Sequence, residues 1–116
     1  MNNFKDKSLE ERIRIINVIL RRYPDRVPIY VYPDKSIEHL RLDKEKFLVH
    51  NDITIADFIY IIRKRIKLEP EKALFLIFNN NNIVSSNTLL YDVYEKYKDK
   101  DDKMLYCIYT LENTFG

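Results

Sequence analysis

A chain of 116 residues carries 20 Lys and Arg against 18 Asp and Glu, a net charge of +2, and is 46% hydrophobic. That length suits one compact domain, that apolar content argues against disorder, and so balanced a charge argues against a dedicated nucleic-acid binder. One cysteine, Cys107, excludes an internal disulfide and points to a reducing compartment, and no apolar run approaches the roughly 18 residues of a membrane span.

Residues 1–6 are polar and no secretory signal follows them, so a cytoplasmic domain is expected. Ser8-Leu9-Glu10-Glu11 reads as a capping box that opens a helix, with Leu9, Ile13, Ile16 and Leu20 on one buried stripe. Ile15, Val18 and Ile19 lie off that stripe, so the helix is either clasped on two sides or carries a docking surface. Pro24 ends it. Over 27–33, Val27, Ile29 and Val31 alternate with Pro28, Tyr30 and Tyr32, the pattern of a half-buried strand, and Pro28 suggests a sheet edge.

A polar loop is expected over 34–43 and a second short strand over 46–49. Thr54 caps a second helix, with Asp57 favourable near its positive end, and Ile55, Phe58, Ile59, Ile62 and Ile66 form its core stripe. The unbroken apolar run 74–78 reads as a buried central strand, 79–82 as a turn, and 88–97 as a short helix using Leu89, Leu90, Val93 and Tyr94. A charged loop over 98–103 precedes a final strand over 104–110. With the first helix set aside, this order fits an α+β fold, the β-grasp or ubiquitin-like arrangement, in which a mixed four-stranded sheet grips one long helix. The expected division is a helical extension over 1–26, a core over 27–110 and a flexible tail over 111–116.

The chain's one glycine, Gly116, ends that polar tail, where no turn needs its backbone freedom. Such a residue suits chemistry on its carboxylate by outside enzymes. Cys107 sits within a strand with no base beside it and reads as a structural thiol. His39 and His50 have no partner at ligand spacing, so no metal or cofactor is expected, and no nucleophile–base set supports an enzyme. Arg21-Arg22 and Arg63-Lys64-Arg65 read, by themselves, as solvated faces.

Four segments carry a resemblance. Tyr23-Pro24-Asp25-Arg26-Val27-Pro28, Leu42-Asp43-Lys44-Glu45-Lys46-Phe47-Leu48-Val49, Arg63-Lys64-Arg65-Ile66 and Glu112-Asn113-Thr114-Phe115-Gly116 occur in that order. They resemble the autophagy-related protein eight family, which includes the GABA-receptor-associated and microtubule-associated light chain three proteins. The resemblance implies a ubiquitin-like modifier whose C-terminal glycine, here Gly116, is activated by an E1-like enzyme, passed to an E2-like enzyme and joined to phosphatidylethanolamine, with a cysteine protease acting on the same end. It also implies capture of peptides with an aromatic residue, two spacers and a branched aliphatic residue, added as a strand to a sheet edge.

Carried over by position, the aromatic pocket comprises Ile19, Pro28, Lys46, Leu48 and Met104. The aliphatic pocket comprises Phe47, Val49, Ile53, Phe58 and Ile61. Arg26, Lys44 and Arg65, with Lys46, face acids that flank the motif. The implied partners are the conjugation enzymes and motif-bearing cargo receptors, with no nucleic acid and a monomeric chain. The implied location is the cytoplasm and, when lipidated, an autophagosome or a plastid-like organelle membrane.

Three residues depart from the family pattern: Met104 stands where Phe is usual, His50 where Pro is usual, and Ile15 where an acid is frequent. They imply a shifted partner preference. Two other readings stand beside this one: a ubiquitin-like interaction module that is never conjugated, and a small basic domain that binds RNA or microtubules through its Arg and Lys clusters.

Overall fold

A computed structural model describes residues 4–111. Helix α1 (Leu9–Arg22) is followed by β1 (Arg26–Pro33), β2 (Lys46–His50), α2 (Ile55–Ile66), β3 (Phe75–Phe78), α3 (Leu90–Tyr97) and β4 (Leu105–Thr110). The strands form one sheet in the order β2-β1-β4-β3. β1 runs parallel to β4, and the β1–β2 and β3–β4 pairs are antiparallel. This is the expected mixed β-grasp sheet with an added N-terminal helix.

The local signals account for the helices. Ser8 accepts from the Glu11 N–H at 3.2 Å, and the Thr54 and Asp57 side chains each accept from the other's backbone N–H, closing a full capping box on α2. Lys67 ends α2 in the left-handed region, φ 52°, a place that glycine usually fills. Asn79 and Asn80 take positive φ in the turn after β3, where Asn tolerates it best among non-glycine residues.

The alternation of β1 sorts the interior into two layers. Val27, Ile29 and Val31 face α2, in a cluster with Phe58, Ile62 and Leu105. Tyr30 faces the other way, into a smaller cluster with Phe4, Ile16 and Met104 beneath α1. β1 is therefore buried on both faces, not half-buried, because α1 covers the side expected to meet water. Of the stripe read on α1, Ile16 is fully buried, Ile13 and Leu20 are half-buried, and Leu9 is exposed.

The lateral order corrects two expectations. Pro28 lies on an inner strand, between β2 and β4. The Val31 N–H donates to the Glu45 carbonyl at 2.7 Å, so odd-numbered N–H groups of β1 point to β2 and even-numbered ones to β4. The missing N–H of Pro28 thus faces β4, whose register begins only at Ile29↔Leu105, and no ladder bond is lost. Conversely, β3 is an edge strand, not a central one.

Segment 34–43 is not a plain polar loop. It holds short 3-10 turns over Lys35–Leu40, kinked at Ile37, and buries Ile37 and Leu42 in the main core. α3 begins one residue after Leu89, which is exposed rather than packed. Within the charged loop before β4, Asp102 is only 2% exposed. Its carboxylate accepts from Arg12 Nε at 3.0 Å, Tyr106 OH at 2.6 Å and the Met104 N–H at 2.8 Å. A 3-10 turn at Phe4–Asp6 lays Phe4 into the lower cluster and places the Lys5 ammonium 3.8 Å from the centre of the Tyr32 ring. Nothing in the polar reading of residues 1–6 foresaw these contacts.

Candidate functional site

β2 is an outer strand, and its polarity follows from its pairing. Val27↔Val49 and Ile29↔Phe47 are the hydrogen-bonded pairs with β1, since the odd N–H groups of β1 turn that way. Pro28↔Leu48 and Tyr30↔Lys46 are the alternate pairs, so the N–H and C=O groups of Lys46, Leu48 and His50 point outward. The edge thus offers a short ladder to an added strand. Its side chains divide by parity, with Lys46 and Leu48 on the α1 face and Phe47 and Val49 on the α2 face.

On the α1 face, Ile19, Pro28, Lys46, Leu48 and Met104 line one hollow of about 180 Å³. All five residues assigned to the aromatic pocket meet there. Phe4, Ile15, Ile16 and Phe47 complete its wall. Phe4 and Ile16 formed no part of the expected set. Ile16 reads from its spacing as a core residue, and a single Phe in a polar stretch carries no periodic signal. Met104 is nearly buried and forms an adaptable thioether floor.

On the α2 face, Phe47, Val49, Ile53, Phe58 and Ile61 belong to one apolar cluster. Phe47 meets Phe58 edge-on, ring centres 6.0 Å apart. Phe58 is fully buried and Phe47 nearly so, leaving Val49, Ile53 and Ile61, all half-buried, to supply accessible apolar surface. The connection from β2 to α2 is held by α3, whose Leu90 and Tyr91 N–H groups donate to the carbonyls of Ile53 and Asn51 at 2.8 and 3.0 Å.

Cations border this second face. Lys44 Nζ lies 4.7 Å and the Arg65 guanidinium 5.4 Å from the centre of the Phe47 ring. Arg65 also forms a two-pronged contact with Asp43, 2.8 and 3.0 Å, and this bond holds the Asp43 carboxyl below the usual carboxylate range. Arg26 is half-buried at the start of β1, in register with His50. His50 Nδ1 stands 3.8 Å from the Asp25 carboxylate.

Arg63 and Lys64, from the same basic run as Arg65, have local work. Arg63 donates to the carbonyls of Lys72 and Glu69 at 2.6 and 3.0 Å, stapling the turn after α2, and Lys64 lies over the Tyr60 ring. Cys107 is fully buried, and burial pushes its thiol far up, so it stays protonated at neutral pH. Among the described residues, no group of three His, Cys, Asp or Glu side chains is arranged to hold a metal. Phe115 and Gly116, the expected reacting end, lie outside the described residues.

Comparison with known proteins places this geometry. Residues 11–116 match the family model described as autophagy protein Atg8 ubiquitin like. The chain is 43% identical over 116 residues to autophagy-related protein 8B of Oryza sativa subsp. japonica, covering 99% of this chain and 96% of that protein. It is 44% identical over 111 residues to autophagy-related protein 8e of Arabidopsis thaliana, covering 96% of this chain and 89% of that one. The crystal structure of Trypanosoma brucei ATG8 superposes with a TM-score of 0.82 at 38% identity, covering 97% of this chain and 95% of that one. With its grasping sheet, its added helix and near full-length relatives above the 40% level, the chain belongs to the Atg8 family of ubiquitin-like autophagy proteins.

Proposed function

We propose that this protein is a membrane-tethered adaptor: a modifier joined through Gly116 to phosphatidylethanolamine that recruits proteins bearing an aromatic-x-x-aliphatic motif. Side chains of an extended peptide alternate, so residues three apart point to opposite faces. A strand added along β2 sends its aromatic residue toward the α1-side hollow and its aliphatic residue toward Val49, Ile53 and Ile61. The observation that carries the reading is this placement of two apolar sites on opposite faces of one outer strand. Lys44, Lys46, Arg65 and Arg26 supply the charge for acids beside the motif. Two buried anchors and a short ladder, less the cost of ordering the peptide, correspond to about micromolar affinity, roughly −8 kcal/mol.

Membership in the family supports the conjugation half: activation by an E1-like enzyme, transfer by an E2-like enzyme and release by a cysteine protease. No described helix is long and apolar enough to cross a membrane, so a covalent lipid is the anchor this reading needs. The protein then moves between cytoplasm and an autophagosomal or related organelle membrane, acting as a substrate of enzymes and not as one.

Fluorescence polarisation tests the capture step. An acidic-flanked peptide with aromatic-x-x-aliphatic spacing binds at about micromolar concentration, and Leu48→Glu weakens it at least about tenfold without lowering the melting temperature. A peptide shortened to aromatic-x-aliphatic spacing puts both anchors on one face and loses binding. Equal binding of the two spacings overturns the reading. Reconstitution with E1-like and E2-like enzymes, ATP and phosphatidylethanolamine liposomes tests conjugation, and absence of a lipidated band overturns that half.

A further inference from the structure

The α1-side hollow is lined by side chains that cannot accept a hydrogen bond. Ile15, Ile19, Pro28, Leu48 and Phe4 are hydrocarbon, and Met104 offers only a weak thioether acceptor. Lys46, the one charged side chain on the wall, is a donor alone. Nearby carboxylates are engaged elsewhere. Glu45 accepts from the Tyr30 hydroxyl and lies 3.6 Å from Arg41, and Asp102 is committed to Arg12, Tyr106 and the Met104 N–H. Neither lines the hollow.

We propose that this hollow selects phenylalanine over tryptophan at the aromatic position of the captured motif, with Ile15 as the residue that sets the choice. The inference rests on the peptide-capture reading above. An indole N–H is a donor and never an acceptor, so on entering this hollow it gives up water and meets no side-chain partner. A phenyl ring carries no such group and loses nothing. Tryptophan gains somewhat more from the Lys46 ammonium and from its larger area, but Lys46 is exposed, and a cation–π contact is at its weakest at an exposed site. The unpaired buried donor is the larger effect. Ile15 is half-buried on α1, one turn before Ile19, and an acceptor at that position would reach the wall of the hollow.

Three otherwise identical acidic-flanked peptides test this by fluorescence polarisation against the full chain, carrying phenylalanine, tryptophan or 3-benzothienylalanine, which has the shape of tryptophan without the N–H. Phenylalanine and benzothienylalanine each bind about tenfold more tightly than tryptophan, about 1.4 kcal/mol. Ile15→Gln supplies a neutral acceptor and narrows the gap between tryptophan and benzothienylalanine to about twofold, while circular dichroism confirms an unchanged fold. Tryptophan binding as well as benzothienylalanine to the wild-type chain overturns the selectivity and leaves peptide capture standing. Binding of none of the three overturns peptide capture and the selectivity with it.

Discussion

Arg12 and Asp102 stand 90 positions apart in the chain and meet at 3.0 Å, joining α1 to the turn that leads into β4. The Asp102 side chain is 1% exposed while that of Arg12 keeps 23% of its surface in contact with solvent. The same carboxylate takes the Tyr106 hydroxyl and the Met104 N–H, so one buried acid fixes the helix, the strand and the floor of the aromatic hollow together.

Asp102→Ala takes the acceptor from Arg12 Nε, the Tyr106 hydroxyl and the Met104 N–H, leaving Arg12 only its bond from Nη1 to the Lys7 carbonyl. The expected loss of stability is about 3 kcal/mol. Urea unfolding followed by circular dichroism reads it. Peptide affinity falls as well, because Ile15 and Ile19 ride on α1. A loss below about 1 kcal/mol, the range of an exposed ion pair, would show that the network contributes no more than a surface bridge.

Phe58→Ala empties the centre of the larger cluster, where Phe58 is 0% exposed and packs against Phe47. The expected cost is about 3–5 kcal/mol. Thermal unfolding measures it. Weakened binding in a variant that keeps wild-type stability would instead make Phe58 a ligand-contact residue, contrary to its burial.

Asp43 competes with any acidic peptide residue for Arg65, since it already holds the guanidinium at 2.8 and 3.0 Å. Asp43→Asn therefore strengthens binding of an acidic-flanked peptide by about two- to threefold, with little effect on a neutral one, as befits an exposed pair. The gain shrinks as salt rises from 0.05 to about 0.3 M. Arg65→Ala acts in the opposite direction.

Alkaline pH destabilises the fold. Burial pushes the Tyr94 phenol from 10.0 up to about 12, with Glu95 and Asp102 adding to the rise. Tyr106 is raised by burial and then by its bond to Asp102, and Tyr109 by burial. Below pH 10 these groups are neutral in both folded and unfolded chains and the stability they permit is fully present. Above it the unfolded chain ionises first, so stability falls as pH rises from 10 through about 12. Urea midpoints at pH 8, 10 and 11 follow the decline. Tyr94→Phe removes one ionising group and makes the decline shallower, at the cost of the 2.6 Å bond from Tyr94 OH to the Lys103 carbonyl.

The helices were legible because their signals are local. Ser8 with Glu11 and Thr54 with Asp57 act within three residues; the box on α2 is complete, and α1 keeps the Ser8 half of the expected box, the bond from the Glu11 N–H. Lateral strand order was not, because it depends on pairings across most of the chain. Pro28 suggested an edge, yet an inner strand accepts it where the neighbouring ladder has not begun. The apolar run at β3 suggested a centre, yet an outer strand packed on the core needs the same residues. Asp102 lies within a run of charges where composition cannot single out the buried member. Phe4 and Lys5 carry no signal in the sequence, because a short 3-10 turn has no apolar period to detect. The five residues of the aromatic hollow came from the family resemblance, since periodicity alone never joins Ile19 to Met104.

β1 lies between β2 and β4, and its parallel neighbour is the last of the described strands in chain order. During translation the early half of the molecule therefore waits with one flank of β1 bare until Leu105–Thr110 leaves the ribosome. A nascent chain halted before Asp102 would hold the pairing of β1 and β2 but lack both the inner partner of β1 and the acid that clamps α1. Such contacts between distant positions slow folding and expose a pairing edge meanwhile, so emergence of Leu105–Thr110, more than that of the first strands, sets when the sheet closes.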